Sequence, residues 1–214
     1  MRHILFASSV LAIASAAASA NIVQLTFEGV GDNAPIGNFY DGGAGGNLGV
    51  TFSSNALALV DFDAGGSGNF GGEPSPSTVL FFVTGSAATL NYAGGFDTGF
   101  SFFYSAIIFP GFVTVYDGLN STGAILTQFT LPLTPATGAP DPNGLYSPFV
   151  PIGVTFAGTA KSVDFGGAQE RIAFDDITFG TANPVVPEPT TFAVGALVSA
   201  GLLSRSRRRA AVAR

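Results

Sequence analysis

Gly or Pro interrupts this chain at short intervals from Asn21 to Gly180, and no stretch between the interruptions keeps a 3.6-residue hydrophobic period for three turns. The segments left between them are rich in Val, Ile, Thr, Phe and Tyr, a composition that suits short β-strands and excludes long amphipathic helices. Eleven strands are expected, at residues 22–28, 49–53, 56–62, 78–84, 88–92, 99–105, 112–116, 125–131, 150–156, 161–165 and 171–179. Strands at that spacing with no helix between them predict an all-β fold, an antiparallel two-sheet β-sandwich of jelly-roll-like type. The first segment carries the expected alternation, with Val23, Leu25 and Phe27 on one face and Gln24, Thr26 and Glu28 on the other. Most of the 21 Phe are expected in the core, and the aromatic residues on both faces of Phe81-Phe82 and of residues 100–104 suit strands covered on both sides. Residues 21–180 are long enough for one domain with one core.

Composition narrows the chemistry. Only 10% of the 214 residues are charged, there is no Cys, and the single His is His3. Residues 21–186 hold 13 of the 14 acids and only Lys161 and Arg171 as bases, a net charge of −11 that repels phosphate backbones and excludes nucleic acid as a partner. With His3 in a segment expected to be removed, Ser or Cys triads, His-ligated zinc and thiol chemistry are all out of reach. The Gly-rich stretches 42–49 and 64–72 do not sit between a strand and a helix with a following Lys, so they are read as turns, not phosphate cradles. Asn120-Ser121-Thr122 fits a glycosylation pattern by chance.

The two ends carry targeting information. Met1-Arg2-His3 is a positive head, residues 4–14 are apolar apart from Ser8 and Ser9, and Ala18-Ser19-Ala20 is a small-residue cleavage site. Residues 1–20 are therefore expected to be a signal peptide, cut by signal peptidase after Ala20 with Ala18 and Ala20 as the recognised positions. An exported chain without Cys must rely on core packing or bound metal in place of disulfides. At the other end, residues 181–189 are a linker that ends in Pro187-Glu188-Pro189, residues 190–204 are uncharged, and Arg205, Arg207, Arg208 and Arg209 stand in the last stretch, 205–214. Fifteen helical residues span about 22 Å, a short transmembrane segment against a core of about 30 Å, and the arginines would stop it with the tail in the cytoplasm.

Pro-Glu-Pro, apolar run and Arg cluster, in that order, resemble the PEP-CTERM sorting signal of Gram-negative bacteria, a tail also known as the ice-binding protein C-terminal domain. The resemblance implies that a membrane-embedded exosortase recognises Pro187, Glu188 and Pro189, and that the precursor is anchored in the inner membrane before it reaches the cell surface or the extracellular space. The two prolines would keep that segment extended and out of any helix or ladder. The body also resembles the glycine-rich, exosortase-dependent surface proteins. Shared features are Phe27-Glu28-Gly29, Gly37-Asn38-Phe39-Tyr40, Gly49-Val50-Thr51-Phe52-Ser53, Val115-Tyr116-Asp117-Gly118 and Ile172-Ala173-Phe174-Asp175-Asp176-Ile177.

A non-catalytic structural or adhesive surface protein is the reading these features favour. A carbohydrate-binding module for exopolysaccharide is the alternative; with no Trp it would stack sugars on Tyr40, Tyr92, Tyr104, Tyr116 or Tyr146, which are read as core or sheet residues. An enzyme would need a carboxylate pair drawn from residues such as Asp61, Asp63, Asp117 or Glu170, and their spacing selects none. One cofactor is considered, a structural calcium. Jelly-roll sugar-binding modules often tie the first strand to the last with such an ion, through a Phe-Glu pair early and an Asp-Asp-hydrophobic segment late, and this sequence has Phe27-Glu28 and Asp175-Asp176-Ile177 in those places. Glu28, Asp175 and Asp176, with Asp32 and backbone carbonyls, would be its ligands. The opposing possibility is that these acids face solvent at strand ends.

Overall fold

The computed structural model describes residues 22–136 and 144–185, so the expected signal peptide, the Pro-Glu-Pro segment, the apolar run and the Arg cluster lie outside the described residues. Twelve strands are present: β1 (Val23–Leu25), β2 (Tyr40–Gly43), β3 (Gly46–Phe52), β4 (Ala56–Val60), β5 (Thr78–Phe82), β6 (Ala87–Phe96), β7 (Gly99–Ser105), β8 (Gly111–Tyr116), β9 (Ile125–Leu131), β10 (Val150–Thr155), β11 (Ala160–Gly166) and β12 (Ala173–Phe179). Among the described residues there is no helix, and so none long and apolar enough to cross a membrane.

The strands form two antiparallel six-stranded sheets. One runs β10-β7-β12-β5-β4, with β1 also paired to β12; the other runs β2-β3-β6-β11-β8-β9. From β5 onward the chain repeatedly changes sheet, with β5, β7, β10 and β12 in the first and β6, β8, β9 and β11 in the second. That alternation forces each sheet to be completed by residues distant in sequence, and a shared interior is what holds it. Leu25, Phe100, Phe102, Phe174 and Ile177 of the first sheet meet Val50, Leu90, Val113, Val163 and Phe165 of the second in one buried cluster. Phe165 lies at its centre, 5.3 Å from Phe102, 5.2 Å from Phe174 and 6.1 Å from Phe100, with near-perpendicular rings that suit aromatic edges and faces.

The aromatic segment 99–105 is covered on both faces, as its sequence suggests. Phe100, Phe102 and Tyr104 point into the interior, while Phe103 joins Phe70, Val79, Tyr146, Phe149 and Ala173 in a second cluster on the outside of the first sheet. Phe70 and Tyr146 bridge in parallel there, so the segments before β5 and before β10 cover that face.

Four of the differences from expectation have local reasons. The added strand, β2, lies in a Gly-rich stretch read as a turn; Gly42 and Gly46 take φ of +85° and +98°, and a Cβ on Gly45 would stand 2.5 Å from the Phe39 ring. Glycine here is what lets the β2–β3 hairpin close. Strand β6 runs to Phe96 across a bulge opposite Ala160 and Ser162 of β11. Strand β4 ends at Val60, before a tight loop in which Gly66 N–H returns to Asp61 O at 2.9 Å. Strand β1 stops at Leu25, because Phe27 takes φ of +62° and turns the chain out of the ladder while its side chain stays fully buried.

Candidate functional site

The edge of β12 is shared. On one side it pairs with β7; on the other, its C-terminal half pairs with β1 (Leu25↔Ile177, Gln24↔Thr178, Val23↔Phe179) and its N-terminal half with β5 (Phe174↔Leu80). Asp175 and Asp176 fall at the seam between β1 and β5. A register shift between Asp175 and Thr178 marks a bulge here, and Asp176 takes φ of +51°, a left-handed conformation unusual for a residue with a side chain.

The expectation that the terminal strands lie side by side is met, and the seam gathers the three acids that the sequence singled out. They do not face solvent: Asp175 is 0% and Asp176 1% exposed, and Glu28 is half-buried. Glu28 accepts from the N–H groups of Ser77 and Thr78 at 3.0 and 2.8 Å and from their hydroxyls at 3.1 and 3.2 Å. Asp175 accepts from the Ser75 N–H at 3.2 Å, the Ser75 hydroxyl at 2.8 Å and the Asp176 N–H at 2.7 Å. Neither carboxylate oxygen of Asp176 has a hydrogen-bond partner. The Ser75 hydroxyl has one proton, and at 2.8–2.9 Å from both Asp175 oxygens it is directed there instead of to Asp176.

Burial controls the protonation of this seam. It pushes the Asp175 carboxyl well above the ordinary carboxylate range, with Asp176 beside it adding to the shift. It raises Asp176 to about 7, with the charge of Glu28 as the second cause. Tyr40, whose hydroxyl accepts the Phe27 N–H at 2.6 Å, is also raised by burial, with Asp175 and Glu28 contributing.

Among the described residues no group of three His, Cys, Asp or Glu stands in metal-ligating geometry. Glu28 and Asp175 are turned toward their hydrogen-bond donors, and only Asp176 is left over. Asp32 is not in the seam; it is exposed and accepts from the Val60 N–H at 3.0 Å and from Asn33 at 3.0 Å. Ser75, Ser77 and Thr78 are not anticipated from the sequence, and Tyr40, read there as a core or sheet residue, is not expected beside these acids. The only signal for three of them is Pro74-Ser75-Pro76-Ser77-Thr78, where two prolines impose an extended run of hydroxyls just before β5.

The other candidate residues are dispersed. Asp117 accepts the Ala124 N–H at 2.7 Å inside the β8–β9 turn, while Glu170 lies in the β11–β12 turn at the opposite end of the sheet. Of the five tyrosines, Tyr40, Tyr104 and Tyr146 are buried and contribute to the hydrophobic clusters, which leaves Tyr92 and Tyr116 half-exposed.

A second feature lies on the outer face of the β2-to-β9 sheet. An open groove of about 250 Å³ is lined by Asp41, Thr51, Asn91, Leu119 and Asn120 among others. The β8–β9 loop folds over this face: Asn120 N–H donates to Asn91 Oδ1 at 2.6 Å, Asn91 Nδ2 donates back to Asn120 Oδ1 at 3.0 Å, and Ser121 Oγ donates to Asp164 at 2.6 Å. The Asn120-Ser121-Thr122 triplet is thus a clamp between loop and sheet, with Asn120 and Ser121 at φ of +55° and +58°.

No family model and no curated protein matches the chain. Among solved structures it is similar to the K2 cleaved adhesin domain of Lys-gingipain (Kgp), at 15% identity and a TM-score of 0.46, over 75% of this chain and 99% of that one.

Proposed function

We propose that this chain is an exported, non-catalytic domain of the cell surface or extracellular matrix, with a structural or adhesive role, built on a jelly-roll-like sandwich. The observation that carries the reading is the antiparallel pairing of the first strand with the last. Val23 opposes Phe179, and Gln24 Nε2 donates to Val185 O at 3.2 Å, so both ends of the domain leave it at one pole. A tail leaving there would hold the opposite pole outward. That pole carries the loop after β7, where Ile108 and Phe109 are each 47% exposed, and the segment after β9, where Leu133 is 53% exposed. The two are laced together by Ala106 and Thr134, which exchange hydrogen bonds of 3.0 Å. Exposed apolar side chains gathered on neighbouring loops are a common mark of an interaction surface.

Delivery to that position rests on the two ends of the sequence. Signal peptidase would remove residues 1–20, the 190–204 segment and its arginines would anchor the precursor in the inner membrane, and an exosortase would act at Pro187-Glu188-Pro189. The test is a double substitution, Ile108→Ser with Phe109→Ser, in the native host. The protein should still reach the surface, while cell–cell aggregation or retention in the matrix falls. Unchanged aggregation at equal surface abundance would remove the adhesive role.

A carbohydrate-binding role is the second reading, and the polar groove beside Asn91 and Asn120 favours it over stacking on tyrosines. Amide and carboxylate groups on a rigid sheet face suit hydroxyl recognition. Glycan-array binding that is abolished by Asn91→Ala would establish it, and an array without signal would dismiss it.

A further inference from the structure

Among the described residues the first sheet ends in β10, β4 and β1, and the second in β2 and β9. A sheet edge is a row of unpaired N–H and C=O groups, and it recruits another strand unless it is shortened, bent, charged, interrupted by Pro or covered. Four of these edges are guarded in such ways. Strand β1 is three residues long, and β2 is four, with two register shifts and the charge of Asp41. Strand β10 carries Pro151, which has no N–H to offer. The segment before β2 covers β4: Pro35 bridges to Leu57, Ile36 N–H donates to Ala56 O at 3.1 Å, and Ala58 N–H donates to Ala34 O at 2.9 Å.

Strand β9 has none of these guards over most of its length. It runs seven residues, Ile-Leu-Thr-Gln-Phe-Thr-Leu, with no Pro, Gly or charge, and among the described residues only β8 pairs with it. A register shift opposite Val115 and Tyr116 bends its start, and Thr127 to Leu131 then pair regularly with β8. In that stretch alternate residues direct N–H and C=O away from β8. Gln128 and Thr130 are exposed on one face, while Phe129, on the other, is only partly covered by the core that buries Leu131 completely.

Charge then narrows the partner. Residues 21–186 have a net charge of −11, yet residues 118–140 contain no charged side chain. A basic partner would find its complement elsewhere on the body, whereas two copies of so acidic a body meet the least repulsion at this neutral stretch.

We propose that β9 pairs antiparallel with β9 of a second copy, about a two-fold axis at Phe129. That register opposes the two Phe129 rings and sets Gln128 of each copy against Thr130 of the other, so side chains of one face stay together. The two β2-to-β9 sheets become one continuous sheet, and because each copy uses its unguarded edge the assembly closes at two. A five-residue ladder is about 17 Å long and falls at the small end of interface sizes, so the association is weak, with a Kd of roughly 1 μM to 1 mM. It goes beyond the adhesive reading and does not depend on Ile108 or Phe109: that role is read on cells, this one on purified protein.

Sedimentation velocity on the purified full-length chain should show monomer and dimer in exchange. Gln128→Lys with Thr130→Lys, at two exposed positions, puts ammonium groups opposite each other and should weaken the dimer by roughly tenfold or more although it lowers the net negative charge. Phe62→Lys, at an exposed position outside β9, should leave it unchanged. Raising salt from about 0.1 to 1 M shortens the screening length from about 10 to 3 Å and should strengthen the dimer by relieving repulsion between the bodies. The chain has no cysteine, so a mixture of Gln128→Cys and Thr130→Cys should give a disulfide-linked pair on mild oxidation, and Phe62→Cys should not. A chain that stays monomeric up to about 1 mM overturns the proposal. So does a dimer that survives the paired lysines, weakens with salt, or cross-links through position 62 as readily as through 128 and 130.

Discussion

Ser75 meets Asp175 with both of its polar groups, the backbone N–H at 3.2 Å and the hydroxyl at 2.8 Å, and so joins the loop before β5 to the last strand across 100 positions of sequence. Asp175 has no solvent contact, so this serine is its main substitute for water. Ser75→Ala removes the hydroxyl and leaves a buried acceptor poorly satisfied. The expected loss of stability is about 1–3 kcal/mol, measured by urea unfolding. Ser77→Ala, beside a half-buried Glu28 that keeps donors from Thr78, should cost less.

Stability should depend on pH in the direction opposite to ordinary acid denaturation. Asp176 is raised from 3.8 to about 7 in the folded state, by burial first and by the Glu28 charge second; Asp175 and the neutral Tyr40 phenol complete the titratable groups around it. The folded protein therefore holds a proton that the unfolded chain has released, and its contribution is fully present below about 4 and lost as pH rises through about 7. Melting midpoints taken between pH 4 and 8 should fall across that window, and Asp176→Asn should flatten the fall. A midpoint rising steadily from pH 4 to 7 would contradict the assignment.

Phe165 connects the two sheets through Phe100, Phe102 and Phe174 and is fully buried. Phe165→Ala should cost about 3–5 kcal/mol. Phe62→Ala, at a ring that is 58% exposed, should cost little. Paired denaturant titrations of the two variants check the contrast.

Processing at the ends is testable without structural knowledge. N-terminal sequencing of exported protein should begin at Asn21, and Glu188→Ala should leave full-length precursor in the inner membrane. Processing of that variant at the wild-type rate would remove the assigned role of Pro-Glu-Pro.

Much of the fold was legible because β-strands declare themselves locally. Gly and Pro mark the turns, period-two alternation in 22–28 marks a half-covered strand, and aromatic residues on both faces of 99–105 mark a doubly covered one. The strand β2 escaped because Tyr40-Asp41-Gly42-Gly43 has turn composition and pairs only once φ becomes positive at Gly42 and Gly46. The acids Glu28, Asp175 and Asp176 could be singled out in the sequence as a group. Their state could not. Which carboxylate is satisfied depends on Ser75, Ser77 and Thr78, and these arrive only because β5 packs on the half of β12 that β1 leaves uncovered. Chain composition by itself determined the strand-rich fold, the acidic body and the chemistries it lacks the side chains to perform. Tertiary structure alone decided that two of three neighbouring acids find donors and the third is buried with none, because hydrogen-bond satisfaction is a property of what long-range pairing brings within 3 Å.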